Sequence, residues 1–274
     1  MEKPVDDGAH GRLTKDGIRI HDKADFAGMH KAGRLAAHIL DEIAPMIEPG
    51  RTTGELDAAI TRMVEEAGAT SATIGYRGYQ HASCISVNHV VCHGIPGDKR
   101  LKDGDILNID VTVIVDGWYG DTSRMYVAGK LSRKAERLIQ ITHDALFKGI
   151  EAVRPGNTFG DIGYAIQAYV ESHRMSVVRD FCGHGLGRVF HAPPNVLHYG
   201  RPGTGPVLEE GMFFTIEPMV NLGRPETKVL PDDWTAVTRD RSLSAQFEHS
   251  IGVTADGFDI FTLSPAGKFH PTWG

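Results

Sequence analysis

The sequence predicts an α/β (α+β) fold in which two similar halves share one curved, mostly antiparallel sheet with helices on its outer face. Three observations support this prediction: a hairpin pattern in residues 104–125, two pairs of segments with helical spacing, and an internal repeat. In the repeat, the pattern that follows Pro49-Gly50 returns after Pro155-Gly156, 106 positions later. A unit of this length is too long for a solenoid and implies two halves related by a pseudo-twofold axis.

The repeat also sets the expected domain organisation. Residues 1–13 are polar and have no counterpart in it, so we assign them to an N-terminal tail. Residues 14–274 are then expected to form a single domain, with pseudo-symmetric halves of about 14–130 and 131–265.

Composition is that of a globular protein with a sizeable core. The chain has 274 residues, 41% of them hydrophobic, and a net charge of −6. The negative charge argues against a dedicated nucleic-acid surface, and no apolar run is long enough to span a membrane. The N-terminus lacks the apolar segment of a signal peptide, and three cysteines make neither a disulfide framework nor a zinc motif. We therefore expect a cytoplasmic protein, and nothing in the sequence indicates more than a monomer.

The first half should begin with two helices and continue with strands. Apolar residues at helical spacing predict a helix over 25–44, and Thr52 with Glu55 forms a capping box that begins a second helix. Residues 70–81, rich in Gly and Tyr, predict a loop. Residues 82–92 then predict a strand with a bend near its middle.

The hairpin pattern is the clearest strand signal in the chain. Strand-forming residues flank Asp116-Gly117, a strong signal for a two-residue turn. With this turn, Asp110 lies opposite Ser123 and Asp121 lies opposite Thr112. Residues 110 and 112 are on the same face of the strand, so the two aspartates share that face. The two aspartates are then diagonal neighbours, roughly 7–8 Å apart at the backbone, and a cation between them would offset their repulsion. Taken alone, the hairpin fits a solvated polar face with two unrelated acids equally well.

The second half repeats the strands as well as the helices. A long amphipathic helix is expected over about 132–152, followed by the counterpart of the second helix. Asp110 then corresponds to Glu217, and the return strand that carries Asp121 corresponds to a later strand that carries Glu248. Four carboxylates, two from each half, would converge near the axis. Such a site suits two divalent cations that share bridging carboxylates.

Histidines supply the remaining donors. The glycine-flanked His184 is expected to be the one nitrogen ligand, and an imidazole among carboxylates favours Mn, Fe, Co or Zn over Ca or Mg. His93 and His191 each lie nine residues after a cysteine, and are candidates for polarising groups beside the metals or for ordinary structural histidines. His143 and His173 lie on predicted helices and are expected to be exposed. Ordinary structural roles are expected for three others: His89, His198 and His249.

Apolar and aromatic residues near these positions could form the wall of a small pocket beside the metals. They are Tyr76, Tyr79, Cys84, Phe190 and Trp234. Each one singly is equally compatible with ordinary core packing. As a set they would suit a thioether side chain, because sulfur contacts aromatic rings favourably.

At these residues the chain resembles the type I bacterial methionine aminopeptidases, which belong to metallopeptidase family M24 and have the pita-bread fold. The resemblance covers about residue 14 to residue 265, and the chain lacks the insertion and the zinc-binding extension of the other types. It implies a pita-bread catalytic domain that removes N-terminal methionine from nascent or newly made proteins when the second residue is small. The stretches that carry it are CISVNHVVCHGIP (84–96), GDILNIDVTVIVDGWYGDTSRM (104–125), CGHGLGRVFHAPPNVLHYG (182–200), EEGMFFTIEPMV (209–220) and DRSLSAQFEHSIGVT (240–254).

The resemblance also implies roles for individual residues. The expected metal ligands are Asp110, Asp121, His184, Glu217 and Glu248, with Asp121 and Glu248 bridging two ions. Hydroxide between the ions would attack the scissile peptide carbonyl, with Glu217 carrying the proton. His93 and His191 would be catalytic and substrate-binding groups. The substrate-binding pocket would be formed by Tyr76, Tyr79, Cys84, Phe190 and Trp234.

The expected cofactors and partners follow from the same resemblance. The cofactors are two divalent ions (Co, Mn, Fe or Zn), and one monovalent cation (Na or K) is implied at Asn88, Val90 and Ser244. The partners are peptides and nascent chains with N-terminal methionine, with transient ribosome association. One departure concerns the pocket, since Thr73 stands where bacterial relatives often carry cysteine.

Three other functions fit the sequence less well. A prolidase or aminopeptidase P shares the five ligands but carries a large extra N-terminal domain, for which this chain has no room. A non-catalytic binding module on the same scaffold typically lacks some ligands, and all five are present here. A purely structural α/β protein would not explain why the acids fall at positions related by the repeat.

Overall fold

The computed structural model describes residues 11–268. Its helices in that range are α1 (Lys23–Ile43), α2 (Thr53–Glu66), α3 (Arg133–Glu151) and α4 (Phe159–Ser172). Its strands are β1 (Arg12–Leu13), β2 (Arg19–Ile20), β3 (Thr70–Ser71), β4 (Ser83–Val87), β5 (Val90–Cys92), β6 (Asp105–Val115), β7 (Trp118–Ala128), β8 (Ser176–Val177), β9 (Gly183–Gly185), β10 (Ala192–Val196), β11 (Phe213–Ile216), β12 (Met219–Asn221), β13 (Thr227–Val229), β14 (Ala236–Thr238), β15 (Ser244–Gln246), β16 (His249–Val253) and β17 (Phe258–Ile260).

Each half packs its two helices against one face of its strands. In the first half, Leu107 and Ile109 of β6 are fully buried in one cluster with apolar residues of α1 and α2. Because side chains alternate along a strand, Asp110 and Thr112 lie on the opposite face. In the second half, α3 and α4 pack in the same way against β11, β12, β15 and β16. The helices therefore cover the outside of the sheet and leave an inner face that carries polar residues.

The predicted hairpin is confirmed together with its register. β6 and β7 pair antiparallel, with Asp110 opposite Ser123 and the turn at Asp116 and Gly117. Both turn residues have positive φ, 52° and 80°, the conformation that a tight turn of this kind requires and that Asp-Gly adopts readily. β3 and β4 pair with the other edge of β6.

The internal repeat is visible in the structure. α2 and α4 are each 14 residues long and each begins after a Pro-Gly turn. The backbone N–H of Gly50 donates to the carbonyl of Leu101 at 2.7 Å, and that of Gly156 donates to the carbonyl of Leu208 at 3.1 Å. The same hydrogen bond therefore fixes the start of the second helix in both halves.

The two halves join edge to edge beside the hairpin. Ser123 and Glu248 form an isolated antiparallel bridge, with the N–H of Glu248 donating to the carbonyl of Ser123 at 3.1 Å. The hydroxyl of Ser250 donates to the carbonyl of Asp121 at 2.7 Å, and that of Thr122 donates to the carbonyl of Glu248 at 2.7 Å. These hydrogen bonds fix the return strand of one half against that of the other.

The structure corrects the predicted exposure of two histidines. His143 is buried, 6% exposed, because the face of α3 that carries it packs its ring against Phe147 and Phe247. His173, at the end of α4, is half-buried, since its ring nitrogen bonds to the carbonyl of Tyr169 at 2.9 Å.

The other corrections concern short strands. Arg12–Leu13 belongs to β1, although the sequence assigned it to the tail, because it pairs with β2. Residues 70–71 form β3 on the edge of β6, and the rest of the predicted loop over 70–81 includes a helical turn at Tyr76–Gly78. The tail prediction for residues 1–10 lies outside the described residues. No helix in the described range is long and apolar enough to cross a membrane.

Candidate metal centre and substrate cavity

A cavity of about 790 Å³ opens on the inner face of the sheet, where the two halves meet. Both the hairpin of the first half and the strands of the second half contribute to its wall. All the residues that the sequence predicted as divalent-metal ligands, catalytic residues or pocket residues line this cavity: Tyr76, Tyr79, Cys84, His93, Asp110, Asp121, His184, Phe190, His191, Glu217, Trp234 and Glu248.

Four carboxylates and one imidazole converge at one end of the cavity. One ligand atom from each of Asp121, His184 and Glu248 lies within 4.8 Å of the other two. The Nε2 atom of His184 is 3.5 Å from Oδ2 of Asp121 and 3.7 Å from Oε1 of Glu217. Asp110 lines the same cavity from β6, diagonally across the hairpin from Asp121.

The backbone around His184 orients its imidazole. Its Nδ1 atom lies 3.1 Å from the carbonyl of Gly185, so a proton on Nδ1 is donated there and Nε2 faces the carboxylates. Burial disfavours the charged ring, but the hydrogen bond to Asp121 and the charge of Glu217 raise the pKa of His184. The flanking residues must be glycines, because neighbouring backbone lies too close to leave room for a side chain. A Cβ at Gly183 would lie 2.4 Å from the carbonyl oxygen of Thr215, and one at Gly185 would lie 2.1 Å from that of Pro193.

Neighbouring polar side chains hold two of the carboxylates in place. The hydroxyl of Thr112 donates to Asp121 at 2.7 Å, and the hydroxyl of Thr215 donates to Glu217 at 2.8 Å. The amide of Gln246 donates to the other oxygen of Glu217 at 3.3 Å. Such bonds fix the carboxylates in the orientation needed to bind a ligand in the cavity.

The electrostatics of the cluster match a cation site. Burial, together with the negative charges of neighbouring carboxylates, raises the pKa of Asp110 and Glu248 well above the usual range. Burial also raises the pKa of Glu217 to about 7, although the nearby His184 opposes this shift. No lysine or arginine of residues 11–268 forms an ion pair with these three carboxylates. Because carboxylate and imidazole donors suit divalent transition metals, these residues fit the metal ions predicted from the sequence.

His93 and His191 flank this cluster. His93 has a φ of 56°, a left-handed conformation that is costly for a non-glycine residue and frequent at functional sites. The ring of His191 lies 4.2 Å from that of His184 and 5.2 Å from that of Tyr76, measured between centroids. Desolvation lowers the pKa of His93 and, with the charge of His184, lowers that of His191 to about 4. Both rings are therefore neutral near pH 7 and can donate one hydrogen bond and accept another.

Aromatic rings form the wall beside the two histidines. The ring of Tyr76 packs edge-on against Phe190 at 5.0 Å between centroids, and Tyr79 packs against Trp234 at 4.9 Å. Cys84 is buried in the same wall, and its thiol pKa is raised by burial, so it behaves as an apolar surface. These five residues and the carboxylate cluster lie in one cavity, as a substrate pocket beside a metal site would require.

One residue beside the site was assigned an ordinary role by the sequence. His198 is fully buried, and its Nε2 atom accepts a hydrogen bond from the backbone N–H of Glu217 at 3.1 Å. Desolvation lowers the pKa of His198 to about 3, so the ring stays neutral and can accept this bond. No local pattern indicated this contact, because it joins a loop to the end of a strand.

Comparison with known proteins places the chain among metallopeptidases. The profile of metallopeptidase family M24 matches residues 27–255. The chain is 58% identical to the methionine aminopeptidase of Rickettsia prowazekii (strain Madrid E) over 257 residues, covering 93% of this chain and 99% of that protein. It is 53% identical to the methionine aminopeptidase of Escherichia coli (strain K12) over 248 residues, covering 90% of this chain and 94% of that one.

A solved structure supports the same assignment. The crystal structure of methionine aminopeptidase from Rickettsia prowazekii superposes with a TM-score of 0.89 at 59% identity, covering 90% of this chain and 100% of that one. The predicted pita-bread fold is therefore confirmed.

Proposed function

This chain belongs to metallopeptidase family M24, and on that premise we propose which of its residues remove the N-terminal methionine from proteins. It is a methionyl aminopeptidase, a hydrolase that depends on divalent metal ions. The observation that carries the proposal is the convergence of four carboxylates and one imidazole beside an aromatic pocket in one cavity.

Two divalent ions, Co, Mn, Fe or Zn, would be held by the five converging side chains. Asp121 and Glu248 would be shared between the ions, His184 and Glu217 would complete one site, and Asp110 would complete the other. When bound, such ions would supply Lewis acidity, which lowers the pKa of a water molecule and polarises a carbonyl. The position of His184 Nε2 near Asp121 and Glu217 supports this division of ligands.

Glu217 is proposed as the group that moves the proton. It would accept a proton from the attacking water and pass it to the leaving nitrogen of the scissile peptide. Its bonds to Thr215 and Gln246 hold its two oxygens in place for this transfer. His93 would hydrogen-bond the scissile amide or the leaving nitrogen, and His191 the carbonyl oxygen.

The substrate's first residue would bind in the aromatic wall. Tyr76, Tyr79, Cys84, Phe190 and Trp234 would surround the methionine side chain, whose sulfur favours contact with aromatic rings. A free α-amine would be required beside Asp110, and the enclosed site would admit only a small second residue.

Further partners follow from the substrate class. We propose that newly made chains are the substrates and that the protein acts on them in the cytoplasm, in transient contact with the ribosome. We also propose that it acts as a monomer. A monovalent cation, Na or K, would bind at the backbone of Asn88, Val90 and Ser244. Support comes from the left-handed turn at Asn88, whose carbonyl accepts the N–H of Ser244 at 2.9 Å.

The experiment that tests the proposed chemistry replaces Glu217 by Gln. The amide cannot accept a proton, so kcat for Met-Ala-Ser should fall by a factor of about 10²–10⁴. Circular dichroism and a thermal melt should show that the fold survives. Turnover at the parent rate in a variant that binds metal would remove Glu217 from this role.

A further inference from the structure

An eleven-residue loop forms one side of the aromatic pocket. This pocket loop, residues 72–82, leaves the sheet beside Thr112 of β6. There the N–H of Ala72 donates a hydrogen bond to the carbonyl of Thr112 at 3.0 Å. It returns at Ser83, which pairs with Val111, the next residue of β6. Its two ends are therefore adjacent, as in a compact Ω-loop, and between them it contributes Thr73, Tyr76 and Tyr79 to the cavity.

The backbone of the pocket loop needs external support. Gly75, Arg77 and Gly78 have φ angles of 87°, 48° and 87°, and the left-handed conformation of Arg77 is unfavourable for a residue with a Cβ. Ile74 at the tip is 49% exposed. A loop with few buried side chains must be held by hydrogen bonds if its tyrosines are to keep fixed positions.

Asp57 on α2 provides this support without lining the cavity. Its buried carboxylate accepts the N–H of Ser83 at 2.9 Å and the hydroxyl of Ser83 at 2.8 Å on one oxygen. Its other oxygen lies 3.0 Å from Nδ1 of His81. Bonds to a charged acceptor are stronger than neutral ones, so one carboxylate fixes both residues at the end of the loop.

Thr73 connects the beginning of the pocket loop to this anchored end. Its hydroxyl donates to the carbonyl of His81 at 2.7 Å and lies 3.0 Å from the hydroxyl of Ser71. The hydroxyl of Tyr79 donates to the carbonyl of Ser83 at 2.9 Å. The positions of Thr73 and Tyr79 in the wall therefore depend on the two residues that Asp57 holds.

We propose that Asp57 is a positioning residue for methionine selectivity, acting through His81 and Ser83 on the pocket loop. The inference rests on the proposed binding of the methionine side chain in the aromatic wall. Without the carboxylate, His81 and Ser83 should lose their anchor on α2, and the positions of Thr73 and Tyr79 should become less fixed. Recognition of the first substrate residue should weaken, while the metal ligands on other elements keep their places.

The test compares Asp57→Ala with Asp41→Ala, a matched control. Asp41 is also a buried helical aspartate, bonded to Arg124 at 2.7 Å and to Ser264, but it lies outside the cavity lining. Asp57→Ala should raise KM for Met-Ala-Ser about tenfold and lower the preference for it over Leu-Ala-Ser by a similar factor. We expect kcat and bound metal to stay near parent values, and Asp57→Asn, which keeps an acceptor for Ser83, to restore part of the selectivity. Asp41→Ala should change stability only.

A second pair of variants covers loss of folding in Asp57→Ala. Thr73→Val removes one hydroxyl at nearly constant shape and should lower selectivity, whereas Thr73→Ser keeps the bond to His81 and should not. Trp234→Ala reports on the pocket itself. Selectivity that changes in Trp234→Ala but stays at the parent value in Asp57→Ala and Thr73→Val would overturn the role of Asp57. Selectivity that is unchanged in all three would overturn the proposed pocket and this inference with it.

Discussion

Single side chains at this site are held in place by hydrogen bonds from neighbouring residues. Thr112, Thr215 and Gln246 bond to the carboxylates, and the carbonyl of Gly185 orients His184. Partners of this kind fix the tautomer and direction of a ligand, and their loss typically costs metal affinity or activity. The chemistry of the centre is therefore distributed over more residues than its ligands.

His198 provides a test at this scale. His198→Leu removes the acceptor of the Glu217 N–H, so kcat should fall about tenfold and metal should bind more weakly, since Glu217 loses a fixed backbone. The side-chain oxygen of Gln in His198→Gln can accept the same hydrogen bond, so kcat and metal affinity should lie closer to the parent values. The measurements are kcat for Met-Ala-Ser and metal affinity by titration calorimetry. Equal effects of Leu and Gln would show that the bond has no part in positioning Glu217.

The sequence pointed to some site residues and not to others for a physical reason. Asp110 and Asp121 could be placed together because strand alternation and an Asp-Gly turn fix their geometry locally. His198 could not, because its contact with Glu217 depends on how a loop packs against a strand end 19 residues away. The same holds for Gln246, whose amide reaches Glu217 from a strand of a different sheet.

At the scale of elements, the repeat produces equivalent turns in different surroundings. Gly104 and Gly211 hold the same place before the inner strand of each half, with φ angles of 88° and 89°. A Cβ on Gly104 would approach the carbonyl oxygen of Lys130 at 3.3 Å. One on Gly211 would lie 2.3 Å from the carbonyl oxygen of His21, because the N-terminal segment passes beside this turn and not beside Gly104.

The two glycines should therefore differ when each is replaced by alanine. Gly104→Ala should lower the free energy of unfolding by about 1–2 kcal/mol, the cost of a left-handed residue with a Cβ. Gly211→Ala should cost more, because the backbone of His21 must also move. Urea denaturation of both variants measures the difference. Equal losses would mean that the contact with His21 does not constrain the turn.

Elements were predicted well where the pattern is local. The helix expected over about 132–152 is Arg133–Glu151, and the capping box of Thr52 and Glu55 begins α2. Short strands such as β1 and β3 were missed, because two residues carry no periodicity and pair only once the rest of the sheet exists.

At the scale of the whole molecule, the N-terminal segment connects the two halves. The ring of His21 stacks on Phe213 of the second half at 4.2 Å and lies 5.7 Å from Trp118 of the hairpin, measured between centroids. The repeat predicted that the halves face each other, but not this contact, since residues before α1 have no counterpart in the second half.

His21 should make stability depend on pH. Burial lowers its pKa below 6.5 in spite of the nearby Asp25, so the folded chain resists protonation while the unfolded chain accepts a proton. The contribution of His21 is therefore complete above about pH 6.5 and declines as the pH falls below that value. His21→Phe, which keeps the stacking, should make the decline between pH 7 and pH 5 shallower. Urea unfolding at several pH values measures both slopes, and a slope as steep as that of the parent would contradict this assignment.

We propose above all that the buried carboxylate cluster is a metal centre for removal of N-terminal methionine. The most direct measurement is release of free methionine from Met-Ala-Ser and Met-Glu-Ser by metal-stripped protein, with Mn, Co, Fe or Zn added back singly. We expect no release without metal, recovery that saturates near two ions per chain, and cleavage of Met-Ala-Ser alone. Full activity of the folded, metal-stripped protein, or no activity with any ion that binds, would contradict it.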